Sequence, residues 1–225
     1  MAPRVPKKPA KPDQTTEQRI LSSARGEFSR KGIAGARMQV IAQAAGVNKA
    51  LLHYYFRSKE KLYEAVLSAM MSTVLSSFRE AIDRTPQQAD IRGLIHSIVS
   101  AYIHTLAGNR DFPPMMMREM IEGGKRIPAI IDAIISPSGD VPARILMNLQ
   151  QGIRNGTIRP IEPIHVMMNI MTMVVGTFIF GPIASAIHRK ILGTELLLDM
   201  EFFKRRIEAI TDMACDGLFI EGKNS

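Results

Sequence analysis

Between Met38 and Leu62 the chain reads MQVIAQAAGVNKALLHYYFRSKEKL, and that spacing leaves few folds open. A short apolar-periodic helix carrying Val40, Ile41, Ala44 and Ala45 runs into Gly46. Glycine adopts a positive φ without steric cost, which suits the sharp turn between two helices set at a steep angle. Asn48 is a good cap for a second helix beginning at Lys49, because its side chain can accept from an otherwise unpaired amide. Val47, Leu52 and Phe56 read as core. Lys49, His53, Tyr54 and Tyr55 are left to face outward. A short helix with a polar and aromatic outer face fits the major groove of double-stranded DNA.

Charge is distributed to match. Residues 1–64 hold 13 Lys and Arg against 5 Asp and Glu, whereas residues 65–225 hold 16 of each. The whole excess of +8 therefore lies on the segment with the helix-turn-helix pattern. A basic segment joined to a neutral one implies a polyanionic partner for the basic part alone. The only cysteine, Cys215, rules out an intramolecular disulfide and suits a reducing compartment. The N-terminus shows no apolar signal-peptide core. Pro3, Pro6, Pro9 and Pro12 recur every three residues instead, which favours an extended, disordered arm over residues 1–14. Arg4, Lys7, Lys8 and Lys11 equip that arm for DNA phosphates, although a purely solubilising tail has the same composition.

The remaining periodicity is helical, and no stretch alternates as a strand does. An all-α fold is expected, with a three-helix DNA-binding domain over residues 15–62 and a larger helical domain over 63–225. Thr15 or Thr16 caps the first helix, which Gly32 stops. Ser58 caps a long helix from Lys59 to Arg84. Asp90 caps one to Gly108, and Asp111 with Pro113 and Pro114 opens the next. A short helix spans Pro128–Ile135, and Asp140 starts one that runs to Gly156. Pro163 opens a long apolar helix, and Thr194 caps the last, to Phe219. Val166–Ile187 is 22 residues without a charge, long enough to span a bilayer. Gly176, Gly181, Pro182, Asn169 and Thr172 interrupt it, so burial in protein, centrally or at a subunit interface, is expected rather than burial in lipid. In the last helix Leu196, Met200, Phe203, Ile207, Ile210 and Ala214 recur at 4, 3, 4, 3, 4. This is an a/d-type seam. Either it packs inside one chain or, paired with the apolar helix, it makes a four-helix bundle between two copies. The interface residues expected on the second reading are Met200, Phe203, Ile207, Ile210 and Ala214.

Gly32, Ile41, Ala42, Ala45, Gly46, Val47, Asn48, Ala50, Leu52, Phe56, Ser58, Lys59, Glu60 and Leu62 stand at the spacing found in the TetR/AcrR family of bacterial transcriptional regulators, which residues 15–63 resemble. The resemblance implies that Lys49, Ala50 and Leu51 approach base edges, with Leu51 near a thymine methyl. It implies that His53, Tyr54 and Tyr55 contact phosphate or pack, and that Lys59 binds phosphate. Arg37, Gln39 and Asn48 complete the expected DNA-contacting set. Two positions depart from the family pattern. Ala36 and Arg37 stand where a capping Thr or Ser is usual, leaving Arg37 to act by charge, and His53 stands in place of a tyrosine. Beyond residue 63 the likeness extends only to helical content, and it gives no ligand.

No P-loop, G-x-S-x-G or C-x-x-C motif occurs, and no histidine pair is spaced for a shared metal. Neither an enzyme nor a metal or cofactor is expected. Tyr102, Phe112, Met116, Arg118, Met120, Met147, Met171 and Phe178 are the candidates for a ligand cavity, with an apolar lining and Arg118 at a polar end. The combined expectation is a homodimeric repressor that reads a palindromic operator and is released by a small hydrophobic effector, with no membrane partner. A chromosome-organising or division protein on the same fold is the alternative, followed by a membrane-associated helical protein.

Overall fold

The computed structural model describes residues 15–85, 90–135 and 141–217. The expectations for the 1–14 arm, for Asp140 and for Phe219 lie outside the described residues. Ten helices and no β-strand are found among the described residues, in two compact units that divide between Val66 and Leu67. The chain is all-α, as the periodicity requires.

The first unit holds α1 (Thr16–Gly35), α2 (Met38–Ala44), α3 (Lys49–Phe56) and the start of α4 (Lys59–Arg84). Thr15 accepts from the Gln18 amide while the Gln18 side chain accepts from the Thr15 amide, a reciprocal capping box. Gly32 departs from the helix at φ 65° and ψ 177°, so the regular part of α1 ends where expected, and one further turn follows it. Ile20, Ala24 and Phe28 of α1 are buried with Ile41 and Ala42 of α2, Leu52 and Phe56 of α3, and Leu62 and Tyr63 of α4. Phe28 and Tyr63 meet edge to face, with centroids 5.1 Å apart.

The second unit holds the rest of α4, then α5 (Ile91–Gly108), α6 (Phe112–Ile121), α7 (Ile127–Ile134), α8 (Val141–Arg154), α9 (Pro163–Leu192) and α10 (Met200–Asp216). Asp90 caps α5 by accepting from the Gly93 amide at 2.7 Å. Asp111 sits at the start of α6 in an αR conformation and makes no side-chain cap, so the prolines rather than a cap open that helix. α10 packs along α5, with an Arg92–Asp212 ion pair and a contact between His96 Nε2 and Glu208, and also against α9. Arg206 ties α10 to α9 by donating to the Thr177 hydroxyl at 3.0 Å and to the Met173 carbonyl at 3.4 Å.

Packing decides three expectations about this unit. The last helix begins at Met200, not near Thr194. Gly193 closes α9 in the left-handed region, and Asp199 rather than Thr194 supplies the cap, accepting from the Phe202 amide at 2.8 Å. Leu196 therefore precedes the helix. The seam of α10 also lies inside the chain. Phe203, Ile207 and Ile210 are buried against neighbouring helices of their own chain, and Met200 is exposed. The expected burial of the apolar helix does not occur within one chain: only 17% of its most apolar 18-residue window is buried. Met168, Phe180, Ile183, Ile187 and Ile191 stand exposed along α9. A helix of that length and composition is also long and apolar enough to cross a membrane.

Candidate nucleic-acid interface and cavities

The turn between α2 and α3 is closed by backbone bonds from Gly46 to the Gln43 carbonyl and from Val47 to the Ala42 carbonyl. Gly46 takes φ 67°, which a side chain would strain. Asn48 caps α3 by accepting from the Leu51 amide at 2.7 Å. Leu52 and Phe56 pin α3 to the core one turn apart. The opposite side of the helix is then fixed by geometry, since residues three and four apart share a face. Lys49, Ala50, Leu51, Tyr54 and Tyr55 are all exposed, Tyr54 at 68% and Leu51 at 37%. Tyr54 and Tyr55 stand edge to face at 5.7 Å. Leu51 and the two tyrosines therefore leave apolar and aromatic surface exposed on this side of α3.

The cations around it are uncommitted. Arg37, Lys49 and Arg57 are exposed, and none of their side chains has an acidic partner among the described residues. Arg37 precedes α2 without a side-chain cap, as its sequence position implies. Gln39, on the first turn of α2, is exposed. Sequence reasoning missed Arg57. It adopts φ 59° and ψ −50°, the one positive φ at a non-glycine residue among those described, and turns the chain from α3 into α4. Such a conformation costs about 1–3 kcal/mol and persists only where its surroundings enforce it.

Two expected phosphate contacts are more engaged than the sequence suggests. The Lys59 ammonium donates to the carbonyls of Ala34 and Ala36 at 3.2 and 3.4 Å, so it holds the connection from α1 to α2. Its third donor and the amides at the start of α4 remain for an anion. Ser58 caps α4, accepting from the Lys61 amide. His53 Nδ1 lies 3.1 Å from the Arg57 carbonyl, so Nδ1 carries a proton and donates.

Beneath this surface, Glu27 of α1 is buried and paired with Lys31 at 2.9 Å and Arg30 at 3.3 Å. The Lys31 hydrogen bond, aided by Arg30 and a hydrogen bond donated by the Arg37 backbone N–H, lowers its carboxyl pKa against the opposing effect of burial.

The ligand candidates do not converge. Tyr102 and Met171 share an apolar cavity of about 60 Å³ with Phe78, Leu94, Ile98, Ile145 and Leu149. Burial pushes the Tyr102 hydroxyl up to about 12, and Phe78 packs edge-on against its ring at 5.2 Å. Phe178 lines a different cavity of about 300 Å³ with Ala107, Arg110, Pro113, Pro114, Leu198 and Phe203. Phe112 is core, Met116 is half-buried, and Met120 and Met147 are exposed. Neither Arg118 nor its neighbour Glu119 lines these cavities. Glu119 is fully buried and receives Arg126 Nη1 at 2.8 Å and the Arg126 amide at 3.1 Å. Composition marked these residues as apolar; which apolar side chains meet is set by the packing of separate helices, and one helix's sequence does not contain it.

A family profile described as bacterial regulatory proteins, tetR family, matches residues 20–66. The HTH-type transcriptional regulator RutR of Escherichia coli (strain K12) is 31% identical over 209 residues, covering 88% of this chain and 88% of RutR. UidR of the same strain, also an HTH-type transcriptional regulator, is 27% identical over 147 residues, covering 65% and 71%. Among solved structures, the TetR family transcriptional regulator PfmR from Thermus thermophilus aligns with a TM-score of 0.66 at 19% identity, over 92% of this chain and 100% of PfmR. SCO4942 from Streptomyces coelicolor aligns with a TM-score of 0.63 at 24% identity, over 91% and 98%. These structural likenesses concern the fold.

Proposed function

The chain belongs to the TetR family of helix-turn-helix transcriptional regulators, and on that premise we propose that it is a homodimeric repressor released from a palindromic operator by a small apolar effector. The observation that carries this reading is the outer face of α3. Leu52 and Phe56 lock the helix while Lys49, Ala50, Leu51 and Tyr54 project from it beside cations with no acidic partner among the described residues. Lys49 supplies a donor for a guanine edge or a phosphate, Leu51 an apolar contact for a thymine methyl, and the tyrosines and Lys59 contacts to the backbone.

A second copy is the occupant best suited to the exposed apolar face of α9. Two such faces bury one another, and a two-fold axis sets both α3 helices about 34–36 Å apart, one turn of DNA. The effector acts by population shift, because it binds better to the arrangement in which that spacing is lost. α4 begins in the first unit and continues in the second, so it is the covalent route for the coupling. Such a regulator works in the cytoplasm, where the nucleoid lies.

Selection from random DNA tests the reading. The expected result is a palindromic site whose affinity falls steeply with salt. Failure to select any site, or affinity insensitive to salt, would falsify it. Many dispersed genomic sites away from promoters would favour a chromosome-organising role instead. The length and apolarity of α9 favour one further reading, a membrane-associated protein. Recovery of the chain in the soluble phase after cell fractionation eliminates that reading.

A further inference from the structure

We propose that the cavity between Arg110 and the Phe178–Phe203 pair is a binding site for a small aromatic monocarboxylate, which makes that chemical class the effector; this rests on the ligand-responsive reading above. The cavity holds about 300 Å³. At ~30 Å³ for each water-sized unit, that is room for about ten non-hydrogen atoms. Its walls come from the second unit alone: Ala107 on α5, Pro113 and Pro114 on α6, Phe178 on α9, Leu198 before α10 and Phe203 on α10.

The lining separates into an apolar part and one charge. Phe178 and Phe203 lie nearly parallel, with centroids 5.5 Å apart and planes 28° from each other. With Pro113, Pro114 and Leu198 they offer flat, rigid walls suited to an aromatic ring. Leu198 packs close over α9 at Gly181, where a β-carbon would come 2.7 Å from its Cδ1. Among the described residues, Arg110 is the only ionisable side chain lining the cavity. It has no hydrogen bond or ion pair among the described residues, in a unit where Arg92, Arg126 and Arg144 are each ion-paired. A planar guanidinium with open donors beside an apolar slot is matched by a carboxylate, which it can hold by two parallel bonds. No acidic residue among those described lines the cavity to repel such a ligand. A ring with a short acidic side chain fills both parts at once.

Hydrocinnamate and its uncharged amide, which have the same number of non-hydrogen atoms, test this by calorimetry on the full chain. Hydrocinnamate is expected to bind once per chain, and the amide about ten-fold or more weakly. Arg110→Gln should bring hydrocinnamate down to the level of the amide, and Arg110→Lys should restore part of the difference. Ala107→Leu, which fills the apolar part while leaving Arg110 in place, should weaken both probes together. Equal binding of acid and amide, a preference that survives in Arg110→Gln, or no binding at all overturns the proposal. The selected operator, measured on the same samples, separates this outcome from failure of the regulator reading. Loss of the carboxylate preference with operator binding intact removes only this site, and absence of operator binding in the unaltered chain removes the regulator.

Discussion

α3 and α9 resolve the same conflict between apolar content and water in opposite ways. α3 has eight residues and buries Leu52 and Phe56 completely enough to fix its orientation. What it leaves outside is mostly cationic or aromatic, with Ala50 and Leu51 as the apolar members. α9 has thirty residues, buries a narrow strip including Val166, Ile170 and Val174, and leaves Phe180, Ile183, Ile187 and Ile191 in solvent. The first helix is complete within its own chain and ready for DNA. The second leaves a row of large apolar side chains exposed on the surface of its own chain. The exposed groups of the two helices thus differ in chemistry, cationic and aromatic on α3 and aliphatic and aromatic on α9.

The largest effects separate α9 from α10. Phe203→Glu places a charge inside the chain against α5 and α9 and should unfold the second unit, seen as loss of the cooperative thermal transition. Ile183→Glu alters an exposed position, so it should leave the transition of the monomer nearly unchanged while converting dimer to monomer in sedimentation velocity. Identical behaviour of the two variants would break the distinction between a spent seam and an open face.

Next come the two lysines of the first unit. Lys49→Ala should change the ranking of selected DNA sites by about 1–3 kcal/mol without lowering stability. Lys59→Ala should weaken all sites alike and also lower the midpoint of unfolding, because its ammonium holds the Ala34 and Ala36 carbonyls. Preserved stability in Lys59→Ala would show that those two bonds contribute nothing.

Glu27→Gln should destabilise the first unit by about 1–2 kcal/mol at neutral pH, since it leaves a buried amide where Lys31 and Arg30 were paired. The native pKa of Glu27 lies below its usual 4.5. Its contribution is therefore complete above about that pH and is lost as pH falls through the lowered native value. The difference between the two proteins in urea unfolding should shrink over that acid range, and a difference independent of pH would assign the effect to packing. The smallest effect is at the cap: Asn48→Ala should cost about 1 kcal/mol and reduce affinity for every DNA site, by loosening the start of α3.

The first unit was legible because its signals are local. A capping box, a glycine at positive φ, an Asn cap and a pair of inward residues one turn apart each act within a few residues. Thr15, Gly46, Asn48 and Ser58 behave accordingly. The same locality explains the errors. Thr194 and Asp199 are both good caps by composition, and the choice of Asp199 depends on Gly193 having ended α9 in the left-handed region. The engagement of Lys59 with carbonyls more than twenty residues away has no sequence signal. Arg110 carried none either, since a lone surface arginine gains meaning only from the cavity beside it.

The sequence by itself determined that the chain is helical, that its basic charge is confined to the helix-turn-helix segment, and which side of α3 faces outward. These follow from periodicity, capping and composition, all read along one strand of residues. The tertiary structure alone decided which apolar stripe is used up and which stays open. The a/d stripe of α10 and the apolar run of α9 have similar hydrophobic character, so neither declares its partner. Packing α10 against α5 and α9 buried Phe203, Ile207 and Ile210, and left the apolar face of α9 exposed.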